Sequence, residues 1–581
     1  MTGPANCLVL GPVLRYADET TATVWVETAA PAQVRVHGCT VCTFEVEGHH
    51  FGYVVVEGLE PGTDVAYDVA LDGERVWPLP DDPRPAPRLR TTASGDGFDL
   101  VFGSCRTDRP HEQPWTLPES EHPDGVGVDA LHALSLLLQR GERDLPDLML
   151  MLGDQVYADE GLSPRVREKQ VERRGADSEP QAEVADFEEY TWLYRDSWSD
   201  PEVRWLLSTV PSAMIFDDHD VRDDWNTSAT WREQMRTVPW WRERIIGAYM
   251  SYWVYQHLGN LPPDRLRAEG LLDAVRDEGG PALRRYAALA DDEVDGGTLV
   301  RWSYGRDLGV ARLVVIDTRS GRELDEQGRA MLSDDEWELV EGFLCGGVDH
   351  LLVASSLPLV LARSLHDLER WDDALAGGAW GPRWARVGEW IRQGADLEHW
   401  AAFPESFTRL TRRLGEVAAG RRGDAPSTVL VLSGDVHHSY VAPLRFPGQA
   451  GVRSQVLQIV SSPLRNAVPP SVRRGFAFAA TRPATLLGRL LARSVRLPAQ
   501  EVGWALETGP LTGNGLGTLR LHCRTAEVAL HRSSLSGGRS VLTEVHRQTV
   551  IGAEAGATAA VSQAAVSPAS GPQDGVPSAG R

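Results

Sequence analysis

The sequence predicts an α/β protein that is preceded by an N-terminal β-sandwich. Residues 1–93 alternate between apolar and polar positions in short runs that Gly and Pro separate, which is typical of a sandwich. From Phe98 onward, short and wholly apolar runs alternate with longer segments of helical period. A strand that is apolar on both faces needs helices on both sides of its sheet, so this second part is predicted to be α/β.

The strands of the N-terminal domain are predicted by their two-residue period. The run LEPG at 59–62 supplies a turn signal, and the proline-rich stretch 77–88 is predicted to be a linker. We therefore place a β-sandwich domain at residues 1–93. Its four predicted strands are 22–27, 33–37, 53–57 and 65–71.

The α/β domain is predicted to extend over residues 98–548. An apolar face of helical period begins at Val128, and two late runs near 517–531 indicate a hairpin. Residues 549–581 are rich in Ala, Gly, Ser and Pro without periodicity, so a disordered tail is predicted there. The buried strands of the domain are predicted at 99–105, 147–154, 213–218, 312–317, 351–355 and 428–435.

Charge and hydropathy limit the classes of partner. The 581-residue chain has a net charge of −24, which argues against nucleic acid or an anionic membrane as its main partner. No apolar run of the roughly 18 residues that a spanning helix needs is present, so no membrane span is predicted. The N-terminus shows no secretory or twin-arginine signal. We therefore expect a cytoplasmic protein, with secretion left open if the N-terminus is incomplete.

Polar residues that can bind metal follow most of the buried strands. Because ligands of open α/β sheets bind outside the carboxyl ends of the strands, we expect these side chains to share one rim. They are Cys105 and Arg106, Asp154 and Tyr157, Asp217 to Asp220, Asp317 and Arg319, and Asp435 to His438.

A single Asp or His after a strand is commonly a turn or capping residue. Five such strand ends with acids, histidines, a cysteine and a tyrosine are harder to explain by capping. Carboxylates crowded on one rim repel each other and lose solvation unless a cation neutralises them. The pattern therefore predicts a metal site.

The ligand types indicate which metals would bind. Carboxylates suit hard cations such as Ca²⁺, Mg²⁺ or Mn²⁺. The Cys105 thiolate and the Tyr157 phenolate suit a more strongly Lewis-acidic ion, for which Fe³⁺ is a good candidate. A shared Asp could bridge two ions, and such a pair lowers the pKa of a bound water and directs metal-bound hydroxide at phosphorus.

With these residues the chain resembles the PhoD-like alkaline phosphatases of the calcineurin-like metallophosphoesterase superfamily. The resemblance covers roughly residues 1–465, because the N-terminal sandwich also resembles the domain that precedes the catalytic part of this family. It rests on the runs GSC at 103–105, GDQVYAD at 153–159, DDHD at 217–220 and GDVHH at 434–438.

The resemblance implies a four-layer α/β/β/α fold and a mixed iron and calcium centre, with Mn²⁺, Mg²⁺ or Zn²⁺ as alternatives. It implies His219 as the residue that contacts the phosphate or protonates the leaving oxygen. Arg106 and Arg319 are candidate phosphate clamps through their bidentate guanidinium groups, with an ordinary ion pair as the alternative. The implied metal ligands are Cys105, Asp154, Tyr157 and His437 for iron, and Asp154, Asp218 and Asp435 for calcium.

The chain departs from the family in two places. The family commonly has an Asn calcium ligand shortly after the run at 217–220. Here Asp224 matches it by position and Asn226 matches it by type. His438 is expected to support the neighbouring ligands rather than to bind a metal.

The expected function is hydrolysis of phosphate mono- or diesters by a metal-dependent phosphatase or phosphodiesterase. The substrate is then a phosphate ester, and no specific nucleic-acid binding is expected. The alternative is a non-catalytic binding protein that uses the N-terminal β-sandwich and retains a vestigial metal rim.

Overall fold

The computed structural model of the chain describes residues 6–93, 95, 97–293 and 300–552. Within these ranges no helix has the length and apolarity to span a bilayer. The tail predicted at 549–581 lies outside the described residues from 553 onward, whereas 549–551 end the last strand.

The strands number from the N-terminus as follows. They are β1 Leu8–Ala17, β2 Ala22–Thr28, β3 Gln33–Val36, β4 Cys39–Cys42, β5 Phe44–Val46, β6 His49–Val56, β7 Asp64–Ala66, β8 Val69–Leu71, β9 Glu74–Trp77, β10 Arg88–Arg90, β11 Gly97–Gly103, β12 Leu148–Leu152, β13 Ser212–Ile215, β14 Tyr304–Asp307, β15 Ala311–Ile316, β16 His350–Ser355, β17 Thr428–Ser433, β18 Ser439–Arg445, β19 Gln455–Val460, β20 Gly503–Trp504, β21 Thr508–Leu511, β22 Gly515–His522, β23 Thr525–Ser536 and β24 Arg539–Ile551.

The α-helices number in the same way. They are α1 Ala130–Gln139, α2 Pro164–Arg174, α3 Phe187–Trp198, α4 Pro201–Thr209, α5 Ala229–Arg236, α6 Trp241–Ser251, α7 Pro263–Glu269, α8 Leu271–Glu278, α9 Gly280–Glu293, α10 Asp334–Phe343, α11 Arg363–Ala376, α12 Pro382–Gly394, α13 Pro404–Ala418, α14 Pro470–Ala479 and α15 Arg482–Ser494.

Two large mixed sheets form the second part of the chain. One has six strands in the order β13-β12-β11-β22-β23-β24, and the other is eight-stranded with the path β14-β15-β16-β17-β19-β18-β20 and β21 paired to β18. The strands that precede the candidate site pair in parallel, as β11 with β12, β12 with β13, β15 with β16 and β16 with β17. Their carboxyl ends therefore point the same way within each sheet.

The packing of β17 shows how the layers are arranged. Leu430 and Leu432 belong to the core that the two sheets share, whereas Val429 and Val431 pack with apolar residues of α10 and α13. Because alternate residues of a strand point to opposite faces, one face of β17 meets the other sheet and the other face meets helices. On the six-stranded sheet, α1 packs against β23 and β24. The α/β/β/α fold that the resemblance implies is confirmed.

The N-terminal part is built from two four-stranded sheets, in the orders β1-β2-β6-β5 and β4-β3-β8-β9, with a separate β7-β10 pair. Buried side chains from both larger sheets, such as Val24, Val34 and Val69, form one core between them. The strand predicted at 65–71 is divided into β7 and β8, and the predicted linker at 77–88 leads into β10.

The outer face of this sandwich packs on the second part of the chain. Trp25 of β2 contacts Trp198 of α3, with 6.4 Å between ring centroids. The hydroxyl of Tyr255 donates a hydrogen bond of 2.9 Å to Glu27. Arg15, which is buried, donates to Ser212 Oγ at 2.9 Å and thereby joins β1 to β13. The two parts of the chain consequently share a continuous core.

Candidate metal centre

The strand ends of both large sheets meet at one place. The six-stranded sheet contributes the residues after β11, β12 and β13, and the eight-stranded sheet contributes those after β15 and β17. The thiol of Cys105, after β11, donates to the backbone carbonyl of Asp435, after β17, at 3.3 Å. The prediction of a shared rim therefore holds, but the rim is formed by two sheets rather than by one.

The backbone at these strand ends is unusual. Only twelve non-glycine residues among those described have a positive φ. Six of them are candidate ligands: Cys105, Asp154, Asp224, Asn226, Asp435 and His437, with φ between 51° and 64°. Left-handed backbone at non-glycine residues costs about 1–3 kcal/mol each and clusters at functional sites.

Two glycines allow the strand ends to approach each other. A Cβ on Gly153 would lie 2.5 Å from Cβ of Asp217, and a Cβ on Gly434 would lie 2.1 Å from Oγ of Ser104. Gly153 also has a φ of 100°. A side chain at Gly153, before Asp154, or at Gly434, before Asp435, would therefore clash with the neighbouring strand end.

Asp154, Asp217 and Asp218 form the acidic core of the site. Each offers a carboxylate oxygen within 4.8 Å of the others, and all three residues are buried. Asp154 Oδ1, Asp217 Oδ2 and Asp218 Oδ1 accept no hydrogen bond. Burial raises the pKa of Asp154 and of Asp217 well above the ordinary value, and the neighbouring acids add to this rise, although His219 opposes it at Asp154 and Arg319 opposes it at Asp217.

Asp220 holds the backbone beneath these acids. Its carboxylate accepts hydrogen bonds from the backbone N–H groups of Asp154 at 2.9 Å, Val156 at 3.3 Å and Asp217 at 2.9 Å. One side chain therefore ties the end of β12 to the end of β13. Asp220 belongs to the run DDHD at 217–220, but this supporting role was not predicted from the sequence.

Arg319 supplies the fixed positive charge of the cluster. Its fully buried guanidinium donates to Asp217 and to Glu398, and Nη2 lies 3.2 Å from Asp218 Oδ1 and 4.0 Å from Asp435 Oδ1. Arg319 is therefore at the predicted site, where it pairs with the acids. Sequence reasoning missed Glu398, which follows no strand.

Cys105 and Tyr157 lie close to Asp154, and His437 is joined to Tyr157 through Asn466. Burial, then the charges of Asp154 and Asp435, raises the pKa of the Cys105 thiol well above its usual value. The Tyr157 pKa is raised by burial and by Asp154 and Cys105. Asn466 Nδ2 lies 2.9 Å from the Tyr157 hydroxyl and 3.4 Å from His437 Nε2, so this unpredicted amide links two predicted ligands.

His219 is fixed by an acid and a ring. Its Nδ1 lies 3.0 Å from Asp159 Oδ1, and its imidazole stacks on Tyr157 with 4.6 Å between centroids. Burial lowers the pKa of His219, but the charge and hydrogen bond of Asp159, together with the charges of Asp218 and Asp154, outweigh burial and raise the pKa well above the ordinary value. A protonated imidazole beside the acids is suited to donate a proton.

Asp435 is held by a buried histidine. His399 lies between two acids, with Nε2 2.9 Å from Asp435 Oδ2 and Nδ1 2.8 Å from Glu369 Oε1. Although burial alone would raise the pKa of Asp435, the hydrogen bond and charge of His399 and the charge of Arg319 lower it to about 2. His399 lies in a loop and Glu369 lies on α11, so the pattern of strand ends in the sequence could not predict either residue.

The alternative ligands Asp224 and Asn226 are both near the cluster. Asp224 donates its backbone N–H to Asp218 Oδ2 at 3.2 Å, and its buried Oδ1 accepts no hydrogen bond. Burial and then Glu398 and Asp396 raise the pKa of Asp224 to about 9. Asn226 Nδ2 donates to the Arg319 carbonyl at 3.1 Å. Both assignments stay open.

Arg106 and His438 face away from the acids. Arg106 Nε donates to Asp129 at 2.8 Å and Nη1 donates to the hydroxyl and carbonyl oxygens of Ser197. The expected phosphate clamp at Arg106 therefore has no support in this geometry. His438 Nδ1 lies 2.6 Å from the Val436 carbonyl and its ring packs on Phe476, in agreement with a supporting role.

The donor set fits the cations that the fold family implies. Buried Asp154 Oδ1 accepts no hydrogen bond, and Asp217 Oδ2 and Asp218 Oδ1 accept none beyond their residues' ion pairs with Arg319, which leaves room for a further positive charge because buried acids without full compensation are costly. Arg319, His219 and His399 supply positive charge at the cluster, but Asp154 has no ion pair to any of them among the residues that the structure describes. The acidic cluster can therefore hold metal.

Comparisons with known proteins agree with this geometry. Residues 137–338 match the family model described as PhoD-like phosphatase, and residues 5–89 match a domain of unknown function, DUF7800. A comparison with curated proteins finds no match. A solved structure described as "Structure of PhoD" is similar in fold, with a TM-score of 0.57 and 12% identity over 94% of this chain and 91% of that chain.

Proposed function

We propose that this chain, which carries a PhoD-like phosphatase domain, is a metal-dependent phosphoesterase that hydrolyses phosphate mono- or diesters. The family match and the shared fold support a phosphoesterase in general. The observation that supports metal dependence is the group of buried carboxylate oxygens of Asp154, Asp217 and Asp218 that accept no hydrogen bond.

The residues divide into two neighbouring ligand sets around Asp154. Cys105, Tyr157 and His437, with Asp154, would hold an Fe³⁺ ion, because thiolate and phenolate suit a strong Lewis acid. Asp218 and Asp435, with Asp224 or Asn226, would hold Ca²⁺, for which Mn²⁺, Mg²⁺ or Zn²⁺ are alternatives. When bound, such ions lower the pKa of water and neutralise phosphate charge.

The chain's own residues would orient and protonate the substrate. Arg319 and His399 hold Asp217, Asp218 and Asp435 in fixed positions through the ion pairs described above. His219, held by Asp159 and stacked on Tyr157, would give its proton to the departing ester oxygen. Arg106 has no part in this proposal, because Asp129 binds Nε and Ser197 binds Nη1 of its guanidinium.

The alternative of a binding protein that uses the N-terminal sandwich receives less support. One sheet of the sandwich packs on α3 and α4, so that face is not available to a partner. The acids, the cysteine and the histidines of the rim are all present and adjacent.

The test is a pair of matched substitutions of buried acids. Asp154→Asn should abolish turnover of p-nitrophenyl phosphate and bis-p-nitrophenyl phosphate, by at least about 1,000-fold, and should lower the metal content, because the shared carboxylate is lost. Elemental analysis and both assays measure this, and circular dichroism checks the fold.

Asp372→Asn is the control, because Asp372 is equally buried but lies on α11, where Arg392 and Asp373 are its nearest charges. It should keep both metal and activity. Full activity of Asp154→Asn would refute the site, and absence of turnover by the unaltered protein with every metal tested would favour the binding protein.

A further inference from the structure

The distribution of charge along the chain is very uneven. No Asp or Glu occurs between Val436 and Gln500, although the whole chain has a net charge of −24. The same stretch contains α14 and α15. Six arginines lie on or beside these two helices: Arg473, Arg474, Arg482, Arg489, Arg493 and Arg496.

These arginines are available to a partner. All except Arg473, which is half-buried, are exposed. None of the six forms an ion pair with any residue that the structure describes, whereas arginines elsewhere on the surface commonly do. The surface of α14 and α15 is therefore locally and strongly positive.

Large apolar side chains are exposed on the same two helices. On α15, Leu486, Leu487 and Leu490 are 57%, 55% and 52% exposed, and on α14 Phe478 is 59% exposed. Such a group is unusual on a protein surface, where apolar residues are normally scattered singly.

The packing of α15 explains why its leucines face outward. Its buried residues are the small ones, Ala484, Gly488 and Ala492, which recur every four positions and so share one helix face. A Cβ on Gly488 would lie 2.9 Å from the carbonyl oxygen of Ser364 on α11. The close approach to α11 uses the small face, so the leucines and arginines are left on the outer side.

A second source of exposed apolar side chains lies next to α15. Trp380, which precedes α12, donates its indole N–H to the carbonyl of Ser494 at the end of α15 at 3.4 Å. Trp384 packs against Trp380, and Trp390 is 76% exposed. Tryptophan is the residue type that favours the interface between water and lipid headgroups.

This surface is close to the candidate metal centre. Phe476 of α14 packs on His438, with 4.3 Å between ring centroids, and His438 follows the ligand candidate His437. Asn466, which contacts Tyr157, lies four residues before Pro470 at the start of α14. A partner bound to α14 and α15 would therefore lie near the candidate metal centre.

We propose that α14 and α15, with the tryptophans of α12, form a surface that docks on an anionic lipid bilayer. Amphipathic helices that present Arg beside Leu, Phe and Trp lie in the headgroup region, where anionic lipids attract the basic side chains. The negative charge of the rest of the chain would keep all other faces away from such a membrane. Net charge alone had argued against this partner, but it conceals the local concentration of arginine.

Two other occupants fit less well. A second copy of the chain paired through the same surface would bring these arginines against each other without any acid between them. Nucleic acid would use the arginines but would leave the aliphatic Leu486, Leu487 and Leu490 without bases to stack on, since stacking needs aromatic or guanidinium groups.

The test is co-sedimentation of the full chain with two kinds of vesicle. One is phosphatidylcholine alone, and the other is phosphatidylcholine with one third phosphatidylglycerol. We expect binding to the anionic vesicles that weakens with added salt, and much weaker binding to the neutral ones. Arg482→Glu/Arg489→Glu/Arg493→Glu should weaken it by at least about 100-fold, since each basic side chain near the surface contributes about fivefold.

Leu486→Ser/Leu487→Ser/Leu490→Ser should also weaken binding, without any change of charge. The controls are Arg539→Glu, an exposed arginine on β24, and Leu79→Ser, an exposed leucine of the N-terminal part. Both should bind as the unaltered chain does, and thermal unfolding verifies that every variant is folded.

Four results would overturn the proposal. The first two are equal binding, or none, to both kinds of vesicle and no effect of the triple arginine variant. The other two are a stable dimer in light scattering that the leucine variant dissociates and binding of a random oligonucleotide in preference to the anionic vesicles.

Discussion

Arg319 decides how the acids of the centre can be buried together. Its guanidinium contacts Asp217, Asp218 and Glu398 at once, and it lies 4.0 Å from Asp435. Removing one partner of a buried ion pair leaves an uncompensated charge that costs about 3–5 kcal/mol. Arg319 thus stabilises these buried acids, and any contact that it makes with phosphate would be a second role.

At the same scale, Cys105→Ser should remove iron selectively. Burial and the neighbouring acids keep the Cys105 thiol protonated in the absence of a cation, so a strongly Lewis-acidic ion is needed to deprotonate it. We expect elemental analysis of the variant to show loss of iron with calcium retained. Cys42→Ser, at an exposed cysteine, is the matched control and should keep both metals. An unchanged iron content in Cys105→Ser would exclude this residue as a ligand.

Residues that directly follow a buried strand could be predicted from the sequence, whereas their supports could not. Cys105, Asp154 and Asp435 each come after an apolar run, and this places them at the rim. His399 and Asn466 follow no strand, and only the tertiary fold brings them to the site. Arg106 shows a further limit, because a strand end fixes position but not the direction in which a long side chain turns.

At the scale of elements, the glycines before the acids control how closely the two sheets approach. Gly434 follows β17 and lies against Ser104, which follows β11. Ser104 Oγ also accepts the backbone N–H of Asp435 at 2.9 Å. A shift of the end of β11 would therefore move the backbone at the end of β17 directly.

Gly434→Ala should accordingly disturb the site. The added methyl would lie 2.1 Å from Ser104 Oγ, so the ends of β11 and β17 must separate, at a cost of about 1–3 kcal/mol. We expect lower metal affinity and at least about tenfold slower hydrolysis, measured by metal titration and by ester turnover. Gly448→Ala has open space around its Cβ and should behave as the unaltered chain. Equal metal affinity in both variants would show that the close approach at Gly434 is not needed for the site.

Strand prediction succeeded for buried parallel strands and was incomplete elsewhere. The apolar runs of β12, β15, β16 and β17 leave no other interpretation. β18, β19 and β24 were not predicted. For β24 the reason is that the strand is largely exposed and its polar residues give no clear two-residue period. The strand patterns could not predict the two-sheet arrangement either. Both faces of β17 are apolar, so its sequence does not show that one face packs on a second sheet and the other on helices.

At the scale of the whole molecule, the sandwich and the α/β part depend on each other. Trp25 packs against Phe51 within the sandwich and against Trp198 and Tyr255 outside it. The single core that results includes residues from both parts. The N-terminal part is consequently a structural support of the α/β part.

Trp25→Ala should therefore destabilise the entire chain. Loss of a buried aromatic side chain costs about 3–5 kcal/mol, and the effect should appear as one earlier unfolding transition rather than as loss of the sandwich alone. Differential scanning calorimetry and near-ultraviolet circular dichroism measure this. Two separate transitions, with only the first one shifted, would show that the parts unfold independently.

The crowded acids also predict how the metal-free protein responds to pH. Burial and neighbouring acids raise the pKa of Asp224 to about 9 and that of Asp223 to about 7. A raised pKa in the folded state stabilises the fold at low pH, and this stabilisation is lost as pH rises from about 4, the unfolded value, through the folded values. Asp435, with its pKa lowered to about 2, loses its contribution only below about pH 4.

We therefore expect the chelator-treated protein to have a lower melting temperature at pH 9 than at pH 6. Added Ca²⁺ should raise that temperature most at pH 9, where the acids are ionised and bind it. Thermal unfolding in matched buffers tests this, and Asp224→Asn should reduce the pH dependence. A melting temperature of the metal-free protein that rises from pH 6 to pH 9 would contradict the predicted loss of stability with rising pH.

The contact between Cys105 and the carbonyl of Asp435 spans 330 positions of the chain. During synthesis, the ribosome must therefore release residues beyond β17 before the two halves of the centre can meet. A nascent chain that ends earlier holds Asp154 and Asp218 but lacks the opposite half. An ion that needs both halves of the centre would accordingly bind at a late stage of maturation, after translation of most of the polypeptide.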